Sequence, residues 1–481
     1  MGVEVEQHRI DKKGSLSKYP HPSTLGSRIY NVYIQSDFSE TQTEVNTDHF
    51  SKEENLLKQL TIIQSILSNN LRKNEFLWPF SMPPFMDHNK RKFIYTHFGR
   101  PHYKQYLIYL SKKYGVAKQT IAGVHINFSL ENNLIKELYL SFKKYFSNII
   151  SFQNSLYFKI TQNFILNQWF ITYLFGASPI NERGFFSRLP QSLKHPVRSI
   201  RNSEYGYKNK IEDINEANCY VSLKNYINLI NKAIKEHKLY SIKEFYGAVR
   251  LQKLNNLDYL PQTGINYLEF RSFDNDPFSI NLIDYKTLIF FKIFILYLFV
   301  KPVKKFNIKA RLEKAVKDNN QVALENPDKR TFKFEEGKII FKELSLMIDK
   351  LNFPKKYRKI LNFFYQRLLN PFLTPASKMK KKIKNQSLIN SGLKIAWSNK
   401  KKLKIKENKF LKTEKYPKNL QKLVVKSIQL GIRYQVIYSE KNYQLKLLNK
   451  NKIKFISMEQ INKYKPEKIL KKSFPSLFFD Q

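Results

Sequence analysis

An α+β fold is the expectation for this chain, and three observations carry it. Val3, Val5 and Gln7 alternate with Glu4, Glu6 and His8, the two-residue period of a strand, so both glutamates project from one face. Leu56, Leu60, Ile63, Leu67 and Leu71 recur at helical spacing. Strands and helices then mix without a regular strand–helix repeat, which favours α+β over a doubly wound sheet.

The elements follow in order. Asp11-Lys12-Lys13-Gly14 reads as a turn after the first strand. Gln35–Thr47, QSDFSETQTEVNT, is a second acidic stretch with strand-like alternation. A helix begins near Ser51, where Ser51 and Glu54 have the spacing of a capping box. Further helices are expected around Lys104–Tyr114, Asn132–Ser147 and Tyr220–His237, and a third strand over Gly264–Ser272. The longest apolar run, Thr287–Val300, carries Lys292 and falls short of the roughly 20 residues that span a bilayer, so it reads as a buried helix. No internal repeat of fixed period is present.

The 481 residues suffice for one large domain or two ordinary ones. With 42% hydrophobic and 15% aromatic residues, the chain is too apolar to be disordered. Its formal charge of +45 points towards nucleic acid or an anionic surface. Nearly all of the excess is lysine, however, and it travels with Asn, Ile, Phe and Tyr while Gly falls to 14. A drift in residue usage explains that pattern better than a nucleic-acid footprint. The single cysteine, Cys219, excludes an intramolecular disulfide and a CxxC zinc or redox pair. It is read as inert, and a reducing cytoplasm is the expected location. The first residues lack the basic and apolar regions of a signal peptide. Composition changes near Pro375: residues 376–481 hold 28 Lys and Arg against 6 Asp and Glu, an excess of 22. A catalytic domain over 1–375 and a lysine-rich extension over 376–481 are therefore expected. Lys378–Lys384 and Lys400–Lys409 read as solvated linker or surface. Leu423–Val425 and Tyr434–Tyr438 read as a helix end and a strand around Gly431.

Only 39 residues are acidic, yet several pair on strands. Glu4 and Glu6 share a face, Asp37 and Glu44 flank the second strand-like stretch, and Glu269 shares a face with Arg271. Taken singly, such pairs are usually solvated surface. Together they are what carboxylate activation by ATP requires: carboxylates that hold divalent cations against phosphate, with arginine for the transferring phosphoryl group. No Walker A loop, GxGxxG turn or HExxH helix is present, so any ATP is not held by a P-loop.

One resemblance is specific. The opening GVEVEQHRI resembles the GIExExLRV start of bacterial glutamate–cysteine ligases. HPSTLGS, SDFSETQTE, WPFSMPP, QTIAGVHINFSL, YLFGASP, SIRNSEYGY, YGAVR, YLEFRSFDNDPFS and NPFLTP continue the likeness in order to residue 375. AVRL at 248–251 and YLEFR look most similar to the ligase half of bifunctional glutathione-making proteins. LVVKSIQLGIRYQVIYSEKNYQLKL is similar to the connector that precedes their ATP-grasp half, which this chain is expected to lack. The chain is also expected to start on the first metal-ligand strand, without the leading helix of typical relatives.

The resemblance implies a fold like the glutamine synthetase catalytic domain, a curved, mainly antiparallel sheet forming a funnel with helices outside. It implies ATP as co-substrate and magnesium, for which manganese can substitute. Glu4, Glu6, Asp37, Glu44, His125 and Glu269 fall on the family's magnesium ligands. Arg271 falls on the arginine that contacts the transferring phosphoryl group, and Arg250 on a basic neighbour. Tyr106, Ile121, Arg201, Tyr207 and Tyr246 fall on the pocket for cysteine, with Arg201 on its carboxylate. Read without the family, His125 in GVHINF is a core histidine, Tyr207 and Tyr246 are half-buried aromatics, and Trp78 with its SMPP turn is structural. Three positions depart from the pattern: Leu107 replaces a usual arginine, Ile126 a tyrosine and Asp276 an asparagine.

The implied activity joins the L-glutamate side-chain carboxylate to the L-cysteine amine through an acyl phosphate, with no membrane partner. Two other readings stand beside it: a related carboxylate–amine ligase with another acceptor, and a basic nucleic-acid-binding protein. The latter is disfavoured because no recognition motif is present.

Overall fold

The computed structural model describes residues 1–209, 214–252, 257–404, 416–439 and 442–478. Among these described residues, seven strands form the main sheet: β1 (Gly2–Asp11), β2 (Ile34–Ser36), β3 (Gln42–Asn46), β4 (Glu75–Leu77), β5 (Val124–Phe128), β6 (Val249–Gln252) and β7 (Tyr267–Phe273). The order is β2-β3-β1-β5-β7-β6, with β4 beside the far end of β1, and every pairing is antiparallel. The expected mixture of helices with an antiparallel sheet is thus present.

Alternation along the strands gives the sheet two different faces. Val3, Val5, Val45, Val124, Ile126, Val249, Leu251, Leu268 and Phe270 point into the core. Helices Ile149–Leu166, Gln168–Phe175 and Tyr285–Val300 cover that side. The Phe270 ring meets Phe164 at 4.7 Å and Phe291 at 5.0 Å between centroids. Tyr285–Val300 is apolar around most of its circumference because it is buried on most sides, as its run of residues predicts. Among the described residues no helix is long and apolar enough to cross a membrane.

Several expectations are corrected in detail. The second acidic stretch is a hairpin rather than one strand: β2 pairs β3, and Asp37 sits in the connection. The capping box at Ser51 does not form. The helix runs Glu53–Asn70 with Lys52 as its N-cap, and Glu54 accepts a hydrogen bond from the Tyr285 hydroxyl at 2.8 Å instead. The helix expected to Ser147 ends at Phe142, and that expected over Tyr220–His237 spans Leu223–Lys235.

The lysine-rich segment is not a linker at its start. Lys378 and Lys380 lie in helix Pro375–Lys380, and Lys400–Lys402 end helix Ile389–Leu403. Met379, Leu388 and Ala396 form one apolar cluster with Ile10, Trp78, Phe80 and Ala177, so these helices pack against the sheet. Trp78 is fully buried and donates to the Met82 carbonyl at 2.8 Å, a structural role. Lys406 and Lys409 lie outside the described residues. Helix Lys418–Gln429 is followed by Gly431 at φ 75°, which starts the antiparallel strands β8 (Arg433–Ser439), β9 (Asn442–Asn449) and β10 (Lys452–Ser457).

Candidate functional site

The second face of the sheet is polar, and the register brings its charged residues together. Glu4 on β1 stands opposite Asn46 on β3 and His125 on β5; Glu6 stands opposite Glu44. Glu269 on β7 stands opposite Asn127 on β5 and Arg250 on β6. A register shift between β5 and β7 follows Val124: Val124 pairs Phe273, but Ile126 pairs Phe270. The extra residue falls around Arg271 and Ser272, a distortion that re-aims side chains beside a site.

Glu4, His125 and Glu269 place one ligand atom each within 4.8 Å of one another. The imidazole Nδ1 lies 3.3 Å from Glu4 Oε2 and 3.4 Å from Glu269 Oε1. His125 is 5% exposed and Glu269 2%. Arg271 Nε stands 3.1 Å from Glu269 Oε1, Arg250 Nη1 donates to Glu269 Oε2 at 3.4 Å, and Gln252 donates to the same oxygen. Asn127 Nδ2 donates to Glu4 Oε1 at 2.7 Å. Asp37 and Glu44 are joined differently. Arg100 stands between them, 3.4 Å from Asp37 Oδ1 and 2.5 Å from Glu44 Oε2. Glu6 accepts the Gly123 amide at 3.1 Å.

The electrostatics follow from this crowding. Burial pushes the Glu4 carboxyl up to about 7, and the Glu269 charge adds to the shift. Burial likewise raises Glu44 to about 7, against the opposing pull of Arg100. Glu6 is driven well up by burial and by Asp37 and Glu44. Burial would raise Glu269 too, but Arg250 and Arg271 outweigh it and hold that carboxyl near 2. Burial and Arg271 push His125 well below its ordinary value, so it is a neutral imidazole with a lone pair to give.

Three neighbouring carboxylates at raised pKa are short of positive charge, and a divalent cation would supply it. The donors are mostly hard oxygens with one imidazole, and the buried side-chain oxygens of Asn46 and Asn127 have no partner among the described residues. That donor set fits magnesium or manganese.

Beside this cluster lies a pocket lined by Arg201, Tyr207, Tyr246 and Arg271. The Tyr207 and Tyr246 rings lie 4.0 Å apart, and the Arg271 guanidinium sits 5.6 Å from the Tyr207 ring. Tyr246 donates to Gln119 Oε1 at 3.3 Å. The Arg201 guanidinium lies 3.4 Å from His125 Nε2, and burial lowers its pKa. Tyr106 is half-buried against Tyr240, 4.9 Å between rings. The Ile121 side chain packs into an apolar cluster with Met82, Phe185 and Ile200.

Sequence reasoning missed Arg100, Asn127, Gln252 and Asp274. Asn127 shares the alternation of His125, and Gln252 that of Arg250, so the strand period contained both. Asp274 is buried behind Arg201 and accepts from the Ala177 amide and the Ser178 and Ser199 hydroxyls at 2.7, 2.7 and 2.8 Å. Arg100 comes from a loop, where no period marks it.

The family model for glutamate-cysteine ligase matches residues 1–242 and 234–322. The chain belongs to that family. A "Glutathione biosynthesis bifunctional protein GshAB" from Streptococcus mutans is 37% identical over 468 residues, covering 95% of this chain and 59% of the relative. Its counterpart in Enterococcus faecalis is 36% identical over 382 residues, covering 79% of this chain and 49% of the relative. This member of the glutamate-cysteine ligase family thus spans about half to three-fifths of the length of those two relatives. The crystal structure of a bifunctional glutathione synthetase from Pasteurella multocida superposes with a TM-score of 0.85 at 29% identity, covering 95% of this chain and 59% of that one. A glutamate–cysteine ligase from Francisella tularensis in complex with AMP gives 0.74 at 22% identity over 89% and 91% of the two chains, a likeness of fold.

Proposed function

We propose that the chain catalyses the ATP-dependent ligation of the L-glutamate side-chain carboxylate to the L-cysteine amine through a γ-glutamyl phosphate, the first step of glutathione biosynthesis. The observation that carries this reading is the convergence of Glu4, His125 and Glu269 on one sheet face, with Arg271 and Arg250 beside them. That is the arrangement a triphosphate and a carboxylate need if they are to approach each other.

Glu4, His125 and Glu269 would hold one magnesium ion, and Glu6, Asp37 and Glu44 would serve further ions. Bound there, magnesium supplies charge neutralisation for the phosphates and the acyl phosphate. Arg271 contacts the transferring phosphoryl group and neutralises its charge, and Arg250 and Gln252 hold Glu269 in place. The glutamate carboxylate attacks the terminal phosphorus of ATP, and ADP leaves. The cysteine amine then attacks the acyl carbon, and phosphate leaves. Arg201 grips the cysteine carboxylate, with Tyr106, Ile121, Tyr207 and Tyr246 around it. No protein nucleophile is needed, so catalysis is positioning and electrostatics. The sheet is the wall of a funnel of the glutamine synthetase kind, helices outside. Residues 1–375 form the catalytic unit and 376–481 an extension similar to the connector of the bifunctional proteins. The one thiol is buried at a pKa raised to about 12, which suits a reducing cytoplasm.

The test is ADP release that requires both glutamate and cysteine. Glu269→Gln should abolish it, and full activity in that variant overturns the metal assignment. If another amine replaces cysteine at higher kcat/KM, the acceptor is different and the ligase chemistry stands.

A further inference from the structure

The pocket beside the carboxylate cluster holds two buried acceptors that have nothing to accept. Glu216 is 9% exposed and Gln168 3%. Both line the pocket with Arg201, Tyr207, Tyr246 and Arg271. Glu216 Oε1 takes the Ala248 amide, but Oε2 is buried without a partner among the described residues. Gln168 Nε2 donates to the Ser272 hydroxyl at 3.2 Å, and its Oε1 is likewise buried and unpartnered. An unpaired buried carboxylate oxygen is costly. Arg201 and Arg271 accompany it on the pocket wall, so the lining carries both signs of charge. A zwitterion has both complements: its carboxylate answers Arg201, and its ammonium, with three N–H donors, answers Glu216 and Gln168.

We propose that Glu216 Oε2 and Gln168 Oε1 form the ammonium subsite for the amine acceptor, and that Glu216 takes the proton that frees its amine. Assigning the ammonium to the acceptor rests on the ligase reading above. In the step, one N–H proton passes to Glu216, and the neutral nitrogen attacks the acyl-phosphate carbon. The C–N bond forms, the C–O bond to phosphorus breaks, and phosphate leaves with the electron pair and the second proton of the nitrogen. Binding the ammonium beside a carboxylate both selects an α-amino acid and removes its charge only where the acyl phosphate waits.

Glu216→Gln keeps an oxygen for the Ala248 amide and removes the charge. The KM for cysteine should rise about 30-fold, the value of a charge-assisted hydrogen bond, with those for ATP and glutamate within about twofold. With L-2-aminobutyrate, which has no thiol to titrate, the deficit in kcat/KM should shrink as pH rises and free amine accumulates. Thermal stabilisation by ligand tests the subsite without turnover. Cysteine should stabilise the wild type beyond 3-mercaptopropionate, which lacks the amine, and Glu216→Gln should lose that preference. Lost preference in a protein that releases no ADP leaves the subsite standing and removes the ligase reading. Unchanged KM, pH profile and preference in an active Glu216→Gln enzyme overturn the subsite alone. Should that variant fail to fold, Gln168→Met decides: a several-fold rise in the cysteine KM alone supports the subsite, and no rise overturns it.

Discussion

Gly123→Ala tests the placement of Arg201 through a single methyl group. The Gly123 amide donates to Glu6 Oε2 at 3.1 Å and its carbonyl accepts the Glu6 amide at 3.0 Å, so this stretch of backbone is pinned to β1 on both sides. A Cβ there would come closer than 3.0 Å to three atoms of the Arg201 guanidinium, a separation that real Cβ atoms essentially never show. Since the backbone is held, the guanidinium must retreat, by about 1 Å to regain ordinary contact. It is the tip of a flexible side chain, so folding should lose less than about 2 kcal/mol. If Arg201 grips the cysteine carboxylate as proposed, activity should lose more. A displacement of about 1 Å in a positioning group costs on the order of 100-fold in rate, near 2.7 kcal/mol. The assay is steady-state kcat/KM for cysteine alongside thermal unfolding. The effect should vanish in an Arg201→Ala background, because the clash then has no partner. A folded Gly123→Ala protein with kcat/KM within threefold of wild type refutes the packing of Arg201 against Gly123.

The remaining predictions concern charge and core. Glu4 and Glu44 are raised from 4.5 to about 7 in the fold, so the folded chain binds protons there that the unfolded chain has lost. Metal-free protein should therefore lose stability as pH rises from 5 to 8, by up to about 3 kcal/mol per group. Glu269 is held near 2, and its contribution is lost only as pH falls below its ordinary value, outside this window. Saturating magnesium should flatten the fall, and an equal fall with and without the ion refutes the cluster as its site. Arg100→Gln removes the cation between Asp37 and Glu44, so it should lower the metal-free Tm and enlarge the increment that magnesium gives; an unchanged increment sinks this. Phe270→Ala opens a cavity between Phe164 and Phe291 and should cost about 3–5 kcal/mol in urea unfolding, with KM values unmoved where the protein remains folded.

The polar face of the sheet was legible because a strand period is short and unambiguous. Glu4 and Glu6, or Glu269 and Arg271, must share a face wherever the strand lies. Which strands adjoin is not a local property. Nothing within GVHINF shows that His125 stands opposite Glu4, because that pairing joins residues 121 apart. Family likeness supplied it, and likeness works only for positions the family pattern marks. Asp274, Gln168 and Glu216 therefore went unseen, though the first is buried behind Arg201 and the others line its pocket. The second strand failed for a related reason. SDFSETQTE alternates on both sides of a tight reversal at Asp37–Thr41, and Phe38 and Ser39 keep the polar–apolar rhythm while the chain turns. The lysine blocks misled by composition, since helix Ile389–Leu403 buries Gly392 and Ala396, exposes Lys394, Lys401 and Lys402, and turns Lys400 back onto the Arg72, Lys73 and Glu75 carbonyls.

One consequence of the two-faced sheet links folding to function. The core face carries valine, leucine, isoleucine and phenylalanine, whose burial favours folding. The opposite face crowds Glu4, Glu6 and Glu44, whose burial among neighbouring carboxylates opposes folding at neutral pH. Arg100, Arg250 and Arg271 relieve part of that. They relieve it unevenly: Glu269, paired with both Arg250 and Arg271, is held at about 2, while at Glu4 burial and the Glu269 charge outweigh Asn127 and the pull of the same arginines and leave it at about 7. The cluster therefore holds a proton near neutrality that a divalent cation would displace. Ion binding should then release protons, fewer at pH 8 than at pH 6, and calorimetry in buffers of different ionisation enthalpy would count them. No release at pH 6 would mean the Glu4 and Glu44 carboxylates are already ionised before the ion arrives, and their crowding would then not raise them.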